Sequence, residues 1–322
     1  MSVARSVIAA GALALAVPQA HAADSYPLRP IRMIVPSGAG GVTDVLGRVI
    51  AHKLGESLGQ QVVIDNRPGA SGIVGSQIVA TAAPDGYTLL MVFPSHVVNP
   101  FLFAAMPYDT EKAFAPITIV STVSLLLTVN PELPVKSTQE LIAYAKANPG
   151  KLNYGTVGSG SLGHLGSELL RSMSGTRMTH IAYKGSPQIL SALIGGEINM
   201  YMVGSISGVV PQIKSGRVRA LGVSARQPLP VLPNVPPIAD ALPGYEARGW
   251  NGIFAPAATP KPIIDRLHKE IVKVVRSPAF AQNLINEGAI AVGNTPAEFA
   301  AVIRADMKKW AALIKEAGIK GD

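Results

Sequence analysis

The stretch VPSGAGGVTD, running from Val35 to Asp44, places three glycines and several other small residues between an apolar segment and an amphipathic one. On its N-terminal side Ile31 to Val35 is a short β-type run. On its C-terminal side Val45, Leu46, Val49, Ile50 and Leu54 recur at the spacing of one helix face. The order is strand, glycine loop, helix. A helix start leaves its first backbone N–H groups without intrahelical partners and carries a partial positive charge, which attracts anions. Glycines let a ligand come close to those amides, although the same residues also serve any tight strand-to-helix turn.

The construction recurs. QVVIDN supplies a second strand and RPGASGIVG another glycine-rich turn, followed by an apolar stretch ending in TAAPDGYTLLMV. Further on KLNYGTV is strand-like, GSGSLG is a glycine loop, and Leu162, Leu165, Leu169, Leu170 and Met173 mark a helical stripe. Strand MTHIAY, turn KGSP and a helix from about Gln188 to Leu193 continue the pattern. Two separate runs of alternating strands and helices predict an α/β protein with parallel sheets in two lobes. Two matching glycine loops, one per lobe, favour a ligand role over a mere turn, with the loops facing each other across a cleft.

ITIVSTVSLLLTVN, 14 residues long and carrying Ser and Thr throughout, is too short to span a bilayer and reads as a buried strand or crossover. Six prolines between Pro228 and Pro243 exclude an interior strand or helix there and predict a surface wrap before the chain returns to the first lobe. PKPIIDRLHKEIVKVVRS is helical, opening on proline. TPAEFAAVIRADMKKWAALIKEAG is a helix with a capping box at Thr295 and Glu298 and a terminal glycine.

The opening residues have the pattern of a secretory signal peptide: Arg5, an 11-residue apolar run from Val7 to Val17, and the small-x-small ending Ala20-His21-Ala22. Cleavage after Ala22 leaves 300 residues and an exported, periplasmic protein. With no cysteine, the chain has no disulfide framework, thiolate metal site or lipoprotein anchor. The whole chain carries 28 Lys and Arg against 20 Asp and Glu, yet the cations are scattered without aromatic interleaving, so nucleic acid is not an expected partner.

GSGSLG matches the G-x-G-x-x-G spacing of dinucleotide sites, but the next strand, HIAYKG, leads to Lys184 where an acidic residue would hold the ribose. Neither glycine loop has a P-loop Lys-Ser/Thr, no G-x-S-x-G elbow occurs, and the histidines form no metal-ligand pair. No cofactor, metal or catalytic constellation is therefore expected. Asp44 has both a helix-start role and a ligand-side role open to it, His96 and His164 a packing role and a ligand role, and Lys184 a solvated role and that of a cation for a carboxylate. An exported enzyme using Asp44, His96 or His164 as acid–base groups is a competing class.

Many ordered segments resemble one family: GAGGVTD with Arg48, NRPGASG, PDGYTLL, Asn99-Pro100, PYD from Pro107, FAPIT, LIAYAKANPGKLNYGTVGSGSLGHLGSELL, YKG, LPGYEARGWNGIFAPAATPKPIIDRLHKEI and EFAAVIRADMKKWAALIKEAGIK. The chain resembles the extracytoplasmic solute receptors of tripartite tricarboxylate transporters, also called the Bug or TctC family. The resemblance implies a two-lobed periplasmic-binding-protein fold of the type II kind, with the ligand cleft between lobes joined by two crossing strands. One lobe is expected from residues 23–122 and 252–322 and the other from residues 123–251. Hinges are expected near Ile119 to Val129 and Trp250 to Ala255.

The implied ligand is a small carboxylate, di- or aromatic, held by backbone amides and ordered waters, and the implied partners are membrane permease subunits. A sensor role, with docking on a membrane kinase, is the alternative. A monomer is the default. The expected ligand-binding residues are Ser37, Gly38, Ala39, Gly40, Gly41, Thr43 and Asp44 in the first loop, with Ser95 and His96 in FPSHVVNP. The second loop contributes Thr156, Gly158, Ser159, Gly160, Ser161 and His164, and the YKG turn Tyr183, Lys184 and Gly185. Two departures from the family pattern bear on specificity: Ser37 stands where an aromatic is usual, and GEINMYMVGSISG has a serine-rich loop with Ser205 and Ser207 where an aromatic-Asp pair is common.

Overall fold

The computed structural model describes residues 26–40, 42–285 and 287–321, so the expected signal peptide and Gly41 lie outside the described residues. The first series of elements is β1 (Ile31–Val35), α1 (Val42–Leu58), β2 (Val62–Asn66), α2 (Ile73–Ala80), β3 (Thr88–Val92), α3 (Ser95–Leu102) and β4 (Phe114–Ser124). The period of two in β1 sorts its residues: Ile31, Met33 and Val35 join one core cluster with Ile50 and Leu54 of α1, and Ile34 joins another. A second series follows: β5 (Leu126–Val129), α4 (Thr138–Ala147), β6 (Leu152–Thr156), α5 (Leu162–Ser174), β7 (Met178–Ala182), α6 (Ser186–Ile194), β8 (Met200–Val203), α7 (Val210–Lys214) and β9 (Arg219–Val223). The chain returns as β10 (Arg248–Pro256), α8 (Lys261–Val275), α9 (Pro278–Ile285), β11 (Ala289–Ala291) and α10 (Pro296–Ala317).

Two sheets result, one of six strands in the order β11-β4-β10-β3-β1-β2 and one of five in the order β7-β6-β8-β5-β9. The expected parallel sheets are corrected here, because both are mixed. β1 is parallel to β2 and β3, and β6 to β7 and β8, but β10 runs antiparallel to β3 and β4, and β5 antiparallel to β8 and β9. The local strand-loop-helix units are parallel builders. The strands that carry the chain from one sheet to the other enter against that direction.

Both passages between the sheets converge on Ser224. Leu125 separates β4 from β5, and its N–H donates to Ser224 Oγ at 2.7 Å while its carbonyl accepts the Ser224 N–H at 2.8 Å. The same hydroxyl donates to the carbonyl of Ala247, the residue before β10. Ser224 is 1 % exposed, so these bonds form away from water. The proline-rich stretch between Ser224 and Ala247 holds no strand and only a short 3-10 turn at Ile238–Asp240.

Helix ends follow the reading of the sequence. Thr295 and Glu298 form a reciprocal capping box on α10, whose C-cap is Gly318 at φ +65°. α10 packs on α3, α5 and β4, and its Phe299, Ile303, Trp310 and Ile314 belong to a core cluster that continues into Leu165 and Leu170 of α5 and Met200 and Met202 of β8. The two sheets thus share one continuous apolar seam beneath the cleft.

Replacing Ser224 by alanine strips partners from a buried N–H and a buried carbonyl at once. A buried unsatisfied group costs about 1–3 kcal/mol, so S224A is expected to lower the unfolding free energy by roughly 2 kcal/mol or more in urea titration. A loss below about 0.5 kcal/mol would contradict this assignment.

Candidate functional site

The two glycine loops are organised by the same device. In the first, Gly40 takes φ +83°, a left-handed conformation that favours glycine, and its N–H donates to Asp44 Oδ2 at 2.8 Å. In the second, Gly160 takes φ +73° and its N–H donates to His164 Nδ1 at 3.1 Å. Each loop is folded back by a side chain four residues on, in the first turn of the following helix. In the first loop that side chain is a carboxylate. In the second it is an imidazole whose Nδ1 accepts.

Asp44 is almost fully buried and already accepts hydrogen bonds on both carboxylate oxygens. It also accepts from Arg48 Nε at 3.0 Å and from Asn66 Nδ2 at 2.9 Å, and Asn66 reaches the Ser37 carbonyl at 3.2 Å. Burial alone would raise its pKa, but the hydrogen bonds from Arg48, the Gly40 amide and Asn66 outweigh it and hold the carboxyl below the usual range. Asp44 therefore shapes the loop and stays charged.

Thr156, at the end of β6, accepts the Gly158 N–H at 3.1 Å and hydrogen-bonds His180 Nε2 at 2.6 Å. His180 in turn stacks on His164, with ring centroids 4.1 Å apart and planes 15° from parallel. Ser161 caps α5 by accepting the His164 N–H at 3.3 Å. His180 was not singled out from the sequence, although its signal is there: it lies on β7 opposite Tyr154 of β6, two residues before the loop.

Between the sheets lies a cavity of about 350 Å³. Thr43 and Leu46 of α1 contribute from the first loop, and Thr156, Ser161, Leu162 and Gly163 from the second. Phe93 and Pro94 follow β3, Val123 and Leu125 come from the first crossing, and Trp250 and Asn251 from β10. Tyr201, Met202 and Ser205 close one side, with Leu284, Glu287 and Ala289 opposite. Trp250 is fixed as a wall by its Nε1, which donates to Asp306 at 2.8 Å, and Thr43 is fixed by donating to Asn251 at 3.0 Å. An adjoining cavity of about 450 Å³ is lined by Gly40, Ser205, Ser207 and again Leu46, Leu284 and Glu287.

The loops of the two sheets touch around this space. A Cβ on Gly160 would sit 2.2 Å from Leu102 of α3, and one on Gly249 would sit 2.6 Å from Leu162. Ser205 and Ser207 donate to Glu287 Oε2 at 2.7 and 3.0 Å, linking the loop after β8 to the segment after α9.

Of the expected ligand residues, Thr43, Thr156, Ser161 and Ser205 line the main cavity, and Gly40, Ser205 and Ser207 the adjoining one. Ser37, Gly38, Ala39, Asp44, Ser95, Gly158, Ser159, Gly160, His164, Tyr183, Lys184 and Gly185 line neither. Lys184 is exposed, and Gly185 is the N-cap of α6. Gly41 lies outside the described residues.

His96 lines neither cavity and takes the packing role: it is 3 % exposed and sits among Phe114, Phe254 and Tyr108, at centroid distances of 4.8, 5.4 and 6.0 Å. The turn of α3 points it into the core. Lining residues that the sequence reading passed over, notably Trp250, Leu284 and Glu287, come from the returning C-terminal part of the chain, far in sequence from either loop.

Two α/β sheets with a cavity between them and two chain passages joining them define a bilobal solute-binding protein. Residues 46–319 match the family described as tripartite tricarboxylate transporter family receptor, and the chain belongs to it. It is similar to protein BugT of Bordetella pertussis, with 36% identity over 301 residues, 92% of this chain and 92% of BugT. Among solved structures it resembles an adipate-bound protein of R. palustris at 35% identity and TM-score 0.79, covering 92% of this chain and 100% of that one. It also resembles MatC of Rhodopseudomonas palustris with bound malate at 29% identity and TM-score 0.75, covering 90% and 100%. The family is one of periplasmic solute-binding receptors, and carboxylates occupy these two solved relatives.

Burial drives the His96 pKa down to about 3, so the native state keeps this ring neutral. The unfolded chain takes up a proton near pH 6.5. Stability supplied by the neutral ring is therefore complete above about pH 6.5 and is lost as pH falls toward 3, at close to 1.4 kcal/mol per pH unit. Urea unfolding of the wild type and H96F between pH 6 and pH 4 should show the variant's dependence shallower by about that slope. Parallel curves would contradict it.

Proposed function

We propose that the mature protein captures a small carboxylate in the periplasm and delivers it to membrane permease subunits of a tripartite transporter. Residues 1–22 act as the export signal, residues 23–122 with 252–322 form one lobe, and residues 123–251 the other. The observation that carries the reading is the cavity between the sheets, flanked by two helix starts whose loops are almost free of side chains. Among the described residues no Lys or Arg lines it, so backbone amides and hydroxyls are left to recognise the anion.

The glycine amides themselves are engaged, Gly40 by Asp44, Gly158 by Thr156 and Gly160 by His164. The donors that serve a ligand are therefore those just beyond them: the amides of Leu162 and Gly163 in the first turn of α5 and of Thr43 in the first turn of α1, with the Ser161 hydroxyl, all at the cavity; the hydroxyl protons of Thr43 and Ser205 already go to Asn251 and Glu287. Asp44 and His164 act as positioning residues for the loops. Ligand binds the closed arrangement better than the open one and so shifts the population toward it, with motion at the two crossings tied by Ser224.

A thermal-shift screen of the mature protein against carboxylates, each paired with its amide, tests this reading. A ligand at about 100 times its Kd adds roughly 2.7 kcal/mol and raises the midpoint by several degrees. One or more carboxylates should shift the midpoint while the matched amides do not. Equal shifts from acid and amide would contradict carboxylate recognition. Trp250 at the cavity wall gives a second readout: its fluorescence should change saturably with the same ligand, and W250F should abolish that change while Trp310 remains.

Asp44→Asn keeps the shape but removes the charge that holds Gly40 and Arg48 together. It is expected to weaken the identified carboxylate at least tenfold by calorimetry, and unchanged affinity would show that Asp44 does not position the loop.

A further inference from the structure

Glu287 is the one charged side chain among the described residues lining the main cavity, and it also lines the adjoining one. The other walls are mostly apolar, from Phe93, Leu125, Leu162, Met202, Trp250 and Leu284. We infer that Glu287 is a specificity residue that turns dicarboxylates away and selects a monocarboxylate with an apolar body and an uncharged or hydrogen-bond-donating far end. This rests on the carboxylate reading above and narrows it.

Glu287 is held in place. Its Oε2 accepts from both Ser205 and Ser207, which lie across the cleft in the loop after β8. Ile206, between those serines, is fully buried, and a Cβ on Gly288 would lie 2.7 Å from it, so the segment after Glu287 is seated tightly against the same loop. The carboxylate cannot swing out to solvent without breaking both hydroxyl bonds.

A ligand with one carboxylate at the helix starts fills a space of about 350 Å³ and brings its other end within the field of Glu287. If that end is a second carboxylate, like charges meet at the half-buried Glu287 beside mostly apolar walls, a repulsion that water screens only in part. No cation among the described lining residues compensates. If it is an amide, hydroxyl or ammonium, Glu287 accepts a hydrogen bond instead. The serine-rich loop that departs from the family pattern thus acts indirectly, by fixing a carboxylate supplied by the opposite wall.

The test uses two matched sets in calorimetry on the mature protein: hexanoate, adipate and adipic acid monoamide, and benzoate, terephthalate and 4-carbamoylbenzoate. For the set that fits the cavity, the wild type should bind the monoamide at least tenfold more tightly than the diacid. Glu287→Gln keeps the side-chain shape and should tighten the diacid at least tenfold while changing the monoamide less, with an unfolding midpoint near that of the wild type. A wild type that prefers the diacid, or a Glu287→Gln variant with an unchanged diacid-to-monoamide ratio, would overturn the inference and leave the carboxylate reading standing. Adipamide or terephthalamide binding where none of the acids does would overturn the carboxylate reading itself.

Discussion

The architecture depends on what happens at Ser224. A single buried hydroxyl accepts the amide of Leu125, where the chain leaves the first sheet, and donates to the carbonyl of Ala247, where it returns. The two passages are thereby laid side by side, which lets β10 pair antiparallel with β4 along its whole length from Arg248 to Pro256. That pairing places Trp250 and Asn251 at the floor of the cavity and sets the distance between the two glycine loops. Because the bonds are buried, they are costly to leave unmade, and they tie together the two backbone passages between the sheets.

In the proposed reading, the loops present backbone amides to a carboxylate, and the side chains behind them shape the site. Asp44 and His164 hold Gly40 and Gly160 in left-handed conformations by accepting their amides across the first helical turn. The carboxylate at the first loop is balanced by Arg48, and the second loop is buttressed by the stacked rings of His164 and His180. With those amides engaged, the proposed donors are the helix-start amides two or three residues on, in a position fixed by helix geometry. Preorganised donors in a mostly apolar cavity bind an anion without the cost of ordering long cationic side chains.

The local features were legible because they are written in contiguous residues. VPSGAGGVTD and KLNYGTVGSGSLG each announce strand, loop and helix, Thr295 and Glu298 announce a helix start, and the resemblance of many segments to one receptor family is carried by such stretches. The mixed sheets were not legible, since β10 joins β3 and β4 from more than a hundred residues away and no local periodicity reports its direction. His96 stayed open between two roles because a histidine near a helix start looks the same whether the turn points it at a cleft or, as here, among Phe114, Phe254 and Tyr108. Glu287 was invisible for the same reason as β10: its position at the cavity exists only after the chain has returned. Ser205 and Ser207 were noticed as a departure from the family pattern, and their partner across the cleft explains how they bear on the site.

The central claim, that helix-start donors of both loops hold one carboxylate between the sheets, is tested most directly by amide-resolved NMR. A ¹⁵N-labelled mature protein titrated with a carboxylate that raises its midpoint should show the amides of Leu162, Gly163 and Thr43 moving together, saturably and with one Kd. Shifts confined to one loop, or lying on a surface away from the cavity while these amides stay still, would contradict it.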